Sequence, residues 1–463
     1  MLPFRRATDL ARLKKSRERD LVKGSLPAHF RALAIPAGIG MLFNTLYNVV
    51  DTFYAGMIST DAQAGLSVSF TVFFILIAFG IGLGQGISAL VGTAIGADKR
   101  SDAKNIASQG ISFAAAFSLL IAFGGFYAIP QLLDVLGVHN GYRQLATDYL
   151  HIILFAAPAF MIAFASNGIL SAQGDTVTNQ HALIAGFLAN CLLNPLFIFG
   201  IWSIPGLGFD GLAISTVLIE WGVALYLLYH VLGSRIMEST RLRCFIMYWQ
   251  TVREIIAQGA PASLNFLTIT IGVFVIQYFL QPFGAAAVAA YGIALRIEQL
   301  ILLPGLGLTI VLLPIIAQNY GAGDFQRIRY AFWWSISVGA AMMLSGAFIL
   351  LMGGKFLLGL FTSDPEVISI GFQYLLLAAP MLPAYLILFA MMSFLQGIKR
   401  PVWTVWIGIY RQIFASAGFA ALFIYVWDWG TWGVWAAVFT AVWTGLLLSS
   451  TVVFFIARQR IRG

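Results

Sequence analysis

Residues 46–56 read LYNVVDTFYAG. They close an apolar run that begins near Ala32, and they place one carboxylate, Asp51, inside it. Runs of this kind recur along the whole chain of 463 residues, of which 60% are hydrophobic and only 10% charged. Mean hydropathy is +0.86. A helix rises about 1.5 Å per residue, so ~20 apolar residues cross ~30 Å of hydrocarbon. A membrane barrel would instead alternate apolar and polar residues in short segments, and no such alternation is present. The pattern predicts an all-α polytopic membrane protein.

Twelve spans are read, at approximately 32–56, 63–91, 105–129, 144–170, 180–200, 211–233, 256–281, 285–317, 329–352, 367–396, 402–426 and 432–457. An even number puts both termini on one side. Basic residues then fix which side, because cytoplasmic loops carry the excess of Lys and Arg. Of 27 Lys and Arg, 23 fall on the side of the termini and two, Arg143 and Lys355, on the other; Arg296 and Arg411 lie inside spans. The termini are therefore expected in the cytoplasm of a bacterial inner membrane. The same distribution accounts for the net charge of +8 without nucleic acid as a partner. The basic stretch FRRATDLARLKKSRERDLVKGS, residues 4–25, reads as a solvated topology signal with some amphipathic helical character. No cleavable signal peptide is recognised, since the first apolar run is too long and carries Asp51. Cys191 lies in a span and Cys244 in a basic loop, which excludes a disulfide framework.

The halves repeat at an offset of 225 residues. Pro36-Ala37 recurs as Pro261-Ala262, Gly80, Gly82 and Leu83 as Gly305, Gly307 and Leu308, Gly96-Ala97 as Gly321-Ala322, Tyr149-Leu150 as Tyr374-Leu375, and Pro158 as Pro383. Each copy has an even number of spans, so the copies are parallel, two pseudo-symmetric six-helix bundles suited to rocking about a shared cleft. The expected organisation is a cytoplasmic tail 1–31, an N-lobe 32–233, a cytoplasmic loop 234–255, a C-lobe 256–457 and a tail 458–463.

Asp51 is the residue around which a function can be built. An acid in hydrocarbon must face the bundle interior, find partners or take a proton, and is a functional candidate by default. Asn44 and Asn48 precede it by seven and three residues and form a supporting polar face of the same helix. Asn190 and Asn194 make an i, i+4 pair in ANCLLNPLFIFG (189–200), and Thr216 offers a hydroxyl from the next span. With these oxygens Asp51 could exchange a proton or hold Na⁺. The alternative is a packing network between the first and fifth spans. The position 225 residues after Asp51 is Ile276, so the acid is not duplicated. Pro36, inside the first span, is a candidate hinge. Glu298 and Arg411 read as a structural ion pair of the second half; Glu220 and Arg296 are further charges inside spans. Gly80/Gly84 and Gly82/Gly86 are small-xxx-small pairs, and FGIGLGQG (79–86) lacks the preceding strand of a nucleotide loop. His139, His151, His181 and His230 have no metal-ligand spacing. No catalytic constellation appears, so neither an enzyme nor a cofactor is expected, and energy must come from an ion or substrate gradient.

The chain resembles the multidrug and toxic compound extrusion (MATE) family over about residues 30 to 457. The resemblance rests on LYNVVDTFYAG, on LNPLFIFG (193–200), on GTAIGA (92–97) and AQNYGAG (317–323), and on YGIALRIEQLILLPGLGL (291–308). It implies V-shaped lobes and secondary antiport, exporting hydrophobic or cationic small molecules in exchange for H⁺ or Na⁺. It also implies cation-coupling roles for Asp51, Asn190 and Thr216, and bending at Pro36. The chain departs at Asn194, where many relatives have a second Asp, which shifts weight from Na⁺ toward H⁺. NFLTITIGVFVIQ (265–277) carries no acid of the kind another branch uses. A lipid-linked precursor flippase of the same broad superfamily is the alternative, and would demand a cationic cleft. A monomer handling cationic or amphipathic organic substrates in the bilayer is expected.

Overall fold

The computed structural model describes residues 18–138, 141–201 and 204–460. Most of the basic N-terminal tail (residues 1–17), His139 and the last residues 461–463 with Arg462 lie outside that range. The chain is a succession of long helices: α1 Leu26–Ile58, α2 Thr60–Gly96, α3 Arg100–Val135, α4 Gly141–Leu154, α5 Ala157–Ala172, α6 Val177–Phe199, α7 Gly208–Leu232, α8 Trp249–Leu280, α9 Ala285–Ala322, α10 Phe325–Gly359 and α11 Pro365–Gly397. A span over Val402–Val426 alternates α-helical α12 (Val402–Ile409) and α13 (Ser416–Ala421) with π-helical turns, and α14 (Gly430–Arg460) follows. Among the described residues eleven helices are long and apolar enough to cross a membrane, and the bent pair α4 and α5 makes a twelfth if taken as one span.

That pair corrects one expectation. A single helix over 144–170 was predicted, but the chain bends by 53° between α4 and α5. Pro158 sits in the first turn of α5. Its missing N–H leaves the Leu154 carbonyl, four residues earlier, without a helical donor and so favours a break there, and short turns bridge the gap, Phe155 N–H to Ile152 O (3.1 Å) and Ala156 N–H to Ile153 O (2.8 Å). The repeat partner Pro383 lies inside the unbroken α11, so the two copies share sequence here but not helix geometry.

The helices gather into two compact units. One takes the chain up to Gly24 and Ile39–Ser263; the other takes Ser25–Gly38 and everything from Leu264. The division points in α1 and α8, Gly38 and Ser263, are separated by the repeat offset.

Close helix packing in the first unit depends on glycine. A Cβ on Gly168 of α5 would collide with the Gly84 carbonyl of α2, and one on Gly86 would come 2.8 Å from the Gly259 nitrogen of α8. In a bilayer, where lipid tails are as apolar as the helix faces, such backbone approach supplies the association energy. The small-xxx-small pairs read from the sequence are thus spent on two different neighbours. The core around them includes Ile87, Leu90, Val91, Met161 and Ile169, each essentially inaccessible. In the second unit Tyr291, Tyr374 and Trp435 form an aromatic cluster, with the Trp435 ring 5.9 Å from Tyr291 and 5.2 Å from Tyr374.

Replacing Gly168 by Val should cost at least ~1–3 kcal/mol, the usual range for overpacking, and lower the melting temperature of detergent-solubilised protein. Gly222→Ala, where nothing lies within 4 Å of the new methyl, should leave the melting temperature unchanged.

Candidate functional site

A tight reversal between α6 and α7 sets the register of the site. Gly200 has φ +76°, and Gly200–Ile201 pairs antiparallel with Ile204–Pro205. Gly206 and Gly211 then pack against the carbonyls of Ile198 and Phe197, where a side chain would collide. Past that turn α6 and α7 lie side by side, Gly186 admitting Ile219 and Val223 of α7. Asn194 thereby faces Ser215, and Asn190 lies one turn further from the reversal on the same face of α6.

Asp51 of α1 enters between them. It is 2% exposed. The Asn190 amide donates to Asp51 Oδ1 at 2.7 Å and the Asn194 amide to the same oxygen at 2.9 Å. Among the described residues Oδ2 accepts no hydrogen bond. Both asparagines are fully buried. Ser215 Oγ donates to Asn194 Oδ1, which orients that amide. Asn190 Oδ1 has no hydrogen-bond partner. Thr216 donates to the Leu212 carbonyl (3.1 Å) and accepts from the Tyr47 hydroxyl (3.4 Å) rather than touching Asp51. Glu220, partly buried, lies one turn beyond Thr216 on α7.

Of the residues singled out from the sequence, the structure therefore brings together Asp51, Asn190 and Asn194, with Thr216 one hydrogen bond removed. Asn44 and Asn48 are exposed, and the Asn48 amide goes to the Asn44 carbonyl (2.8 Å) instead of supporting the carboxylate. α1 runs unbroken through Pro36. Tyr47 and Ser215 were not foreseen. Tyr47 stands one turn before Asp51, and Ser215 adjoins Thr216, so spacing alone held the signal.

The ion pair expected between Glu298 and Arg411 is not formed. Both are buried, but the Tyr374 hydroxyl donates to Glu298 Oε2, while the Arg411 guanidinium lies over the Tyr385 ring at 5.7 Å and its Nε has no partner. Arg411 sits in the π-helical turn Tyr410–Ala415, and the Ser416 hydroxyl donates to the Arg411 carbonyl (2.9 Å). An aromatic layer stands where the salt bridge was predicted. Among the described residues no group of three or more His, Cys, Asp and Glu is arranged to hold a metal, and Cys191 and Cys244 are free thiols.

The family model described as MatE matches residues 36–196 and 261–422. The two matches begin 225 residues apart, at Pro36 and Pro261. The chain is 26% identical over 366 residues, 77% of this chain and 78% of the relative, to the probable multidrug resistance protein YoeA of Bacillus subtilis. It is 29% identical over 403 residues, 85% of this chain and 87% of the relative, to a FAD transporter of Shewanella oneidensis. A crystal structure of MATE in the bent conformation superposes with a TM-score of 0.86 at 25% identity, covering 95% of this chain and 96% of that one.

Replacing Asn190 by Leu should cost about 1–2 kcal/mol, the scale of an interhelical hydrogen bond in a membrane. The loss should largely vanish in an Asp51→Asn background. A double-mutant cycle on detergent melting temperatures measures that coupling.

Proposed function

The chain belongs to the MatE family of membrane transporters, and on that premise we propose that it exports hydrophobic or cationic small molecules in exchange for protons. It is a multi-pass transporter and not an enzyme. The observation that carries the ionic half of the proposal is the arrangement around Asp51, where two buried amides present N–H donors to one carboxylate oxygen. A Na⁺ site needs several inward-pointing oxygens. Here the asparagines point donors at the acid, and Asn194 spends its own oxygen on Ser215. Such a shell holds a carboxylate when it is ionised and leaves Oδ2 to receive a proton. Asn194, in place of a second acid, fits the same reading.

Protonation then works as a switch. The ionised acid binds two amides tightly and fixes α1 against α6. The neutral acid accepts weaker hydrogen bonds and loosens α1. A ligand biases a conformational equilibrium only through differential affinity, and here the proton is that ligand. Exchange of one proton for one monovalent organic cation is electroneutral, so the pH difference is the drive. One pH unit supplies about 1.4 kcal/mol, enough for a roughly tenfold substrate gradient.

The uneven Lys and Arg distribution supports cytoplasmic termini in a bacterial inner membrane. It goes with lobes at 32–233 and 256–457, linked by the basic loop 234–255. One relative is named a FAD transporter, so a flavin dinucleotide joins hydrophobic and cationic small molecules as a candidate substrate.

In proteoliposomes, efflux of a fluorescent organic cation should follow an imposed pH gradient and be indifferent to Na⁺. Asp51→Asn should slow gradient-driven efflux at least tenfold; undiminished efflux would remove Asp51 from the mechanism. Asn194→Asp adds a second carboxylate and should make transport respond to Na⁺, checked by the same assay in choline-replaced buffers.

A further inference from the structure

We propose that the linker between α7 and α8 is a binding site for an anionic phospholipid: exposed apolar side chains from Leu242 to Trp249 enter the leaflet, and Arg241 and Arg243 take the headgroup phosphate. The inference needs only the level of this linker in the bilayer and stands apart from the reading of Asp51.

That level is set by α3, along which the linker is tied by four side-chain contacts. Lys104 Nζ donates to the Glu238 carbonyl (2.9 Å), and Ser108 Oγ meets Met237 Sδ (3.7 Å). Ser112 Oγ donates to the Phe245 carbonyl (2.8 Å), and the Tyr248 N–H donates to Gln109 Oε1 (2.9 Å). The linker thus lies back along about two turns of α3 instead of standing off into water. Ser112 precedes Asp134 by 22 residues, which is ~33 Å of helix. Asp134 lies at the far end of α3, in an exposed ion pair with Arg143 (2.7 Å). The hydrocarbon is ~30 Å thick, so Phe245 and Tyr248 are fastened at its opposite edge, where lipid phosphates lie.

The side chains there divide in two. Ile236 and Phe245 pack against the core of the unit, and Met237 is buried. Leu242 is 89% exposed and Trp249 73%, and Ile246, Met247 and Tyr248 are exposed with them. So many large apolar groups in eight positions mark an interaction surface. Arg241 and Arg243 flank Leu242 and are exposed. Among the described residues no salt bridge holds either, whereas Arg235 is taken by Glu18 (3.2 Å). Glu238 is the linker's only acid.

Uncompensated guanidiniums beside an apolar surface, at this depth, match the two parts of a lipid. Guanidinium forks pair with phosphate oxygens, Trp and Tyr settle at headgroup level, and basic segments beside a span attract anionic lipid. Charge argues against the nearer occupants. Residues 1–17 carry six Lys and Arg against one Asp, so the tail is repelled. A second copy docked here by a two-fold axis would set these arginines against their own equivalents.

The test titrates the full chain in detergent with phosphatidylglycerol, with phosphatidylcholine of the same acyl chains and with glycerol phosphate alone, and counts bound molecules by native mass spectrometry. The wild type should bind its first phosphatidylglycerol at least tenfold more tightly than phosphatidylcholine. Arg241→Gln with Arg243→Gln should cut that preference at least fivefold, since one arginine near a membrane surface contributes about fivefold. Replacing both by Lys should hold it within about threefold of wild type. Leu242→Ser with Trp249→Ser should weaken both lipids alike, and Arg400→Gln, an exposed cation on another loop, should change nothing. A preference that survives the Gln pair, or that falls equally in Arg400→Gln, overturns the proposal. Glycerol phosphate displacing the lipid at equal concentration would make this a free phosphate site and also overturn it. So would a wild type with no preference, its surface already covered by the tail or a second copy.

Discussion

The first unit is organised around one buried carboxylate and the two amides that share one of its oxygens. Asp51 has almost no access to solvent, and an unpartnered anion there would cost many times the net stability of a domain. Its ionised form is tolerable only while Asn190 and Asn194 both donate to it. Those donors belong to a different helix, so the carboxylate ties α1 to α6 through two hydrogen bonds.

The surrounding architecture keeps that contact accurate. The glycine-dependent reversal between α6 and α7 fixes which turn of α7 lies beside each asparagine, and Ser215 locks one amide in its donating orientation. The bend at Pro158 and the glycine contacts of α2 close the rest of the unit. None of these residues needs chemistry of its own. Each restricts geometry so that both amides reach Asp51 Oδ1.

The second unit repeats the backbone pattern without that chemistry. Ile276 occupies the repeat position of Asp51 and is buried. Its own charged residues, Glu298 and Arg411, each meet a tyrosine, the carboxylate being bonded by Tyr374 and the guanidinium lying over the Tyr385 ring. A duplicated bundle has thus diverged into one unit whose buried Asp51 is held by two amides and one whose buried Glu298 is held by a tyrosine hydroxyl.

Membrane residence, the approximate number of crossings, the repeat and an Asp51 turned inward to polar partners were legible in the amino-acid sequence. Apolar run length, basic-loop asymmetry and an acid in hydrocarbon are consequences of transfer free energy, which depends on composition and order alone. The i, i+4 spacing of Asn190 and Asn194 likewise placed both on one helix face. Spacing along one helix does not say what faces it from another. Only the tertiary structure turned Asn48 back onto its own backbone, brought Tyr47 to Thr216, kept Glu298 from Arg411 and broke the fourth span at a proline whose repeat partner leaves α11 whole. Those outcomes depend on helix register and rotation, set by glycine contacts and turns between segments far apart in the chain, where differences of a few ångströms decide which polar group finds a partner.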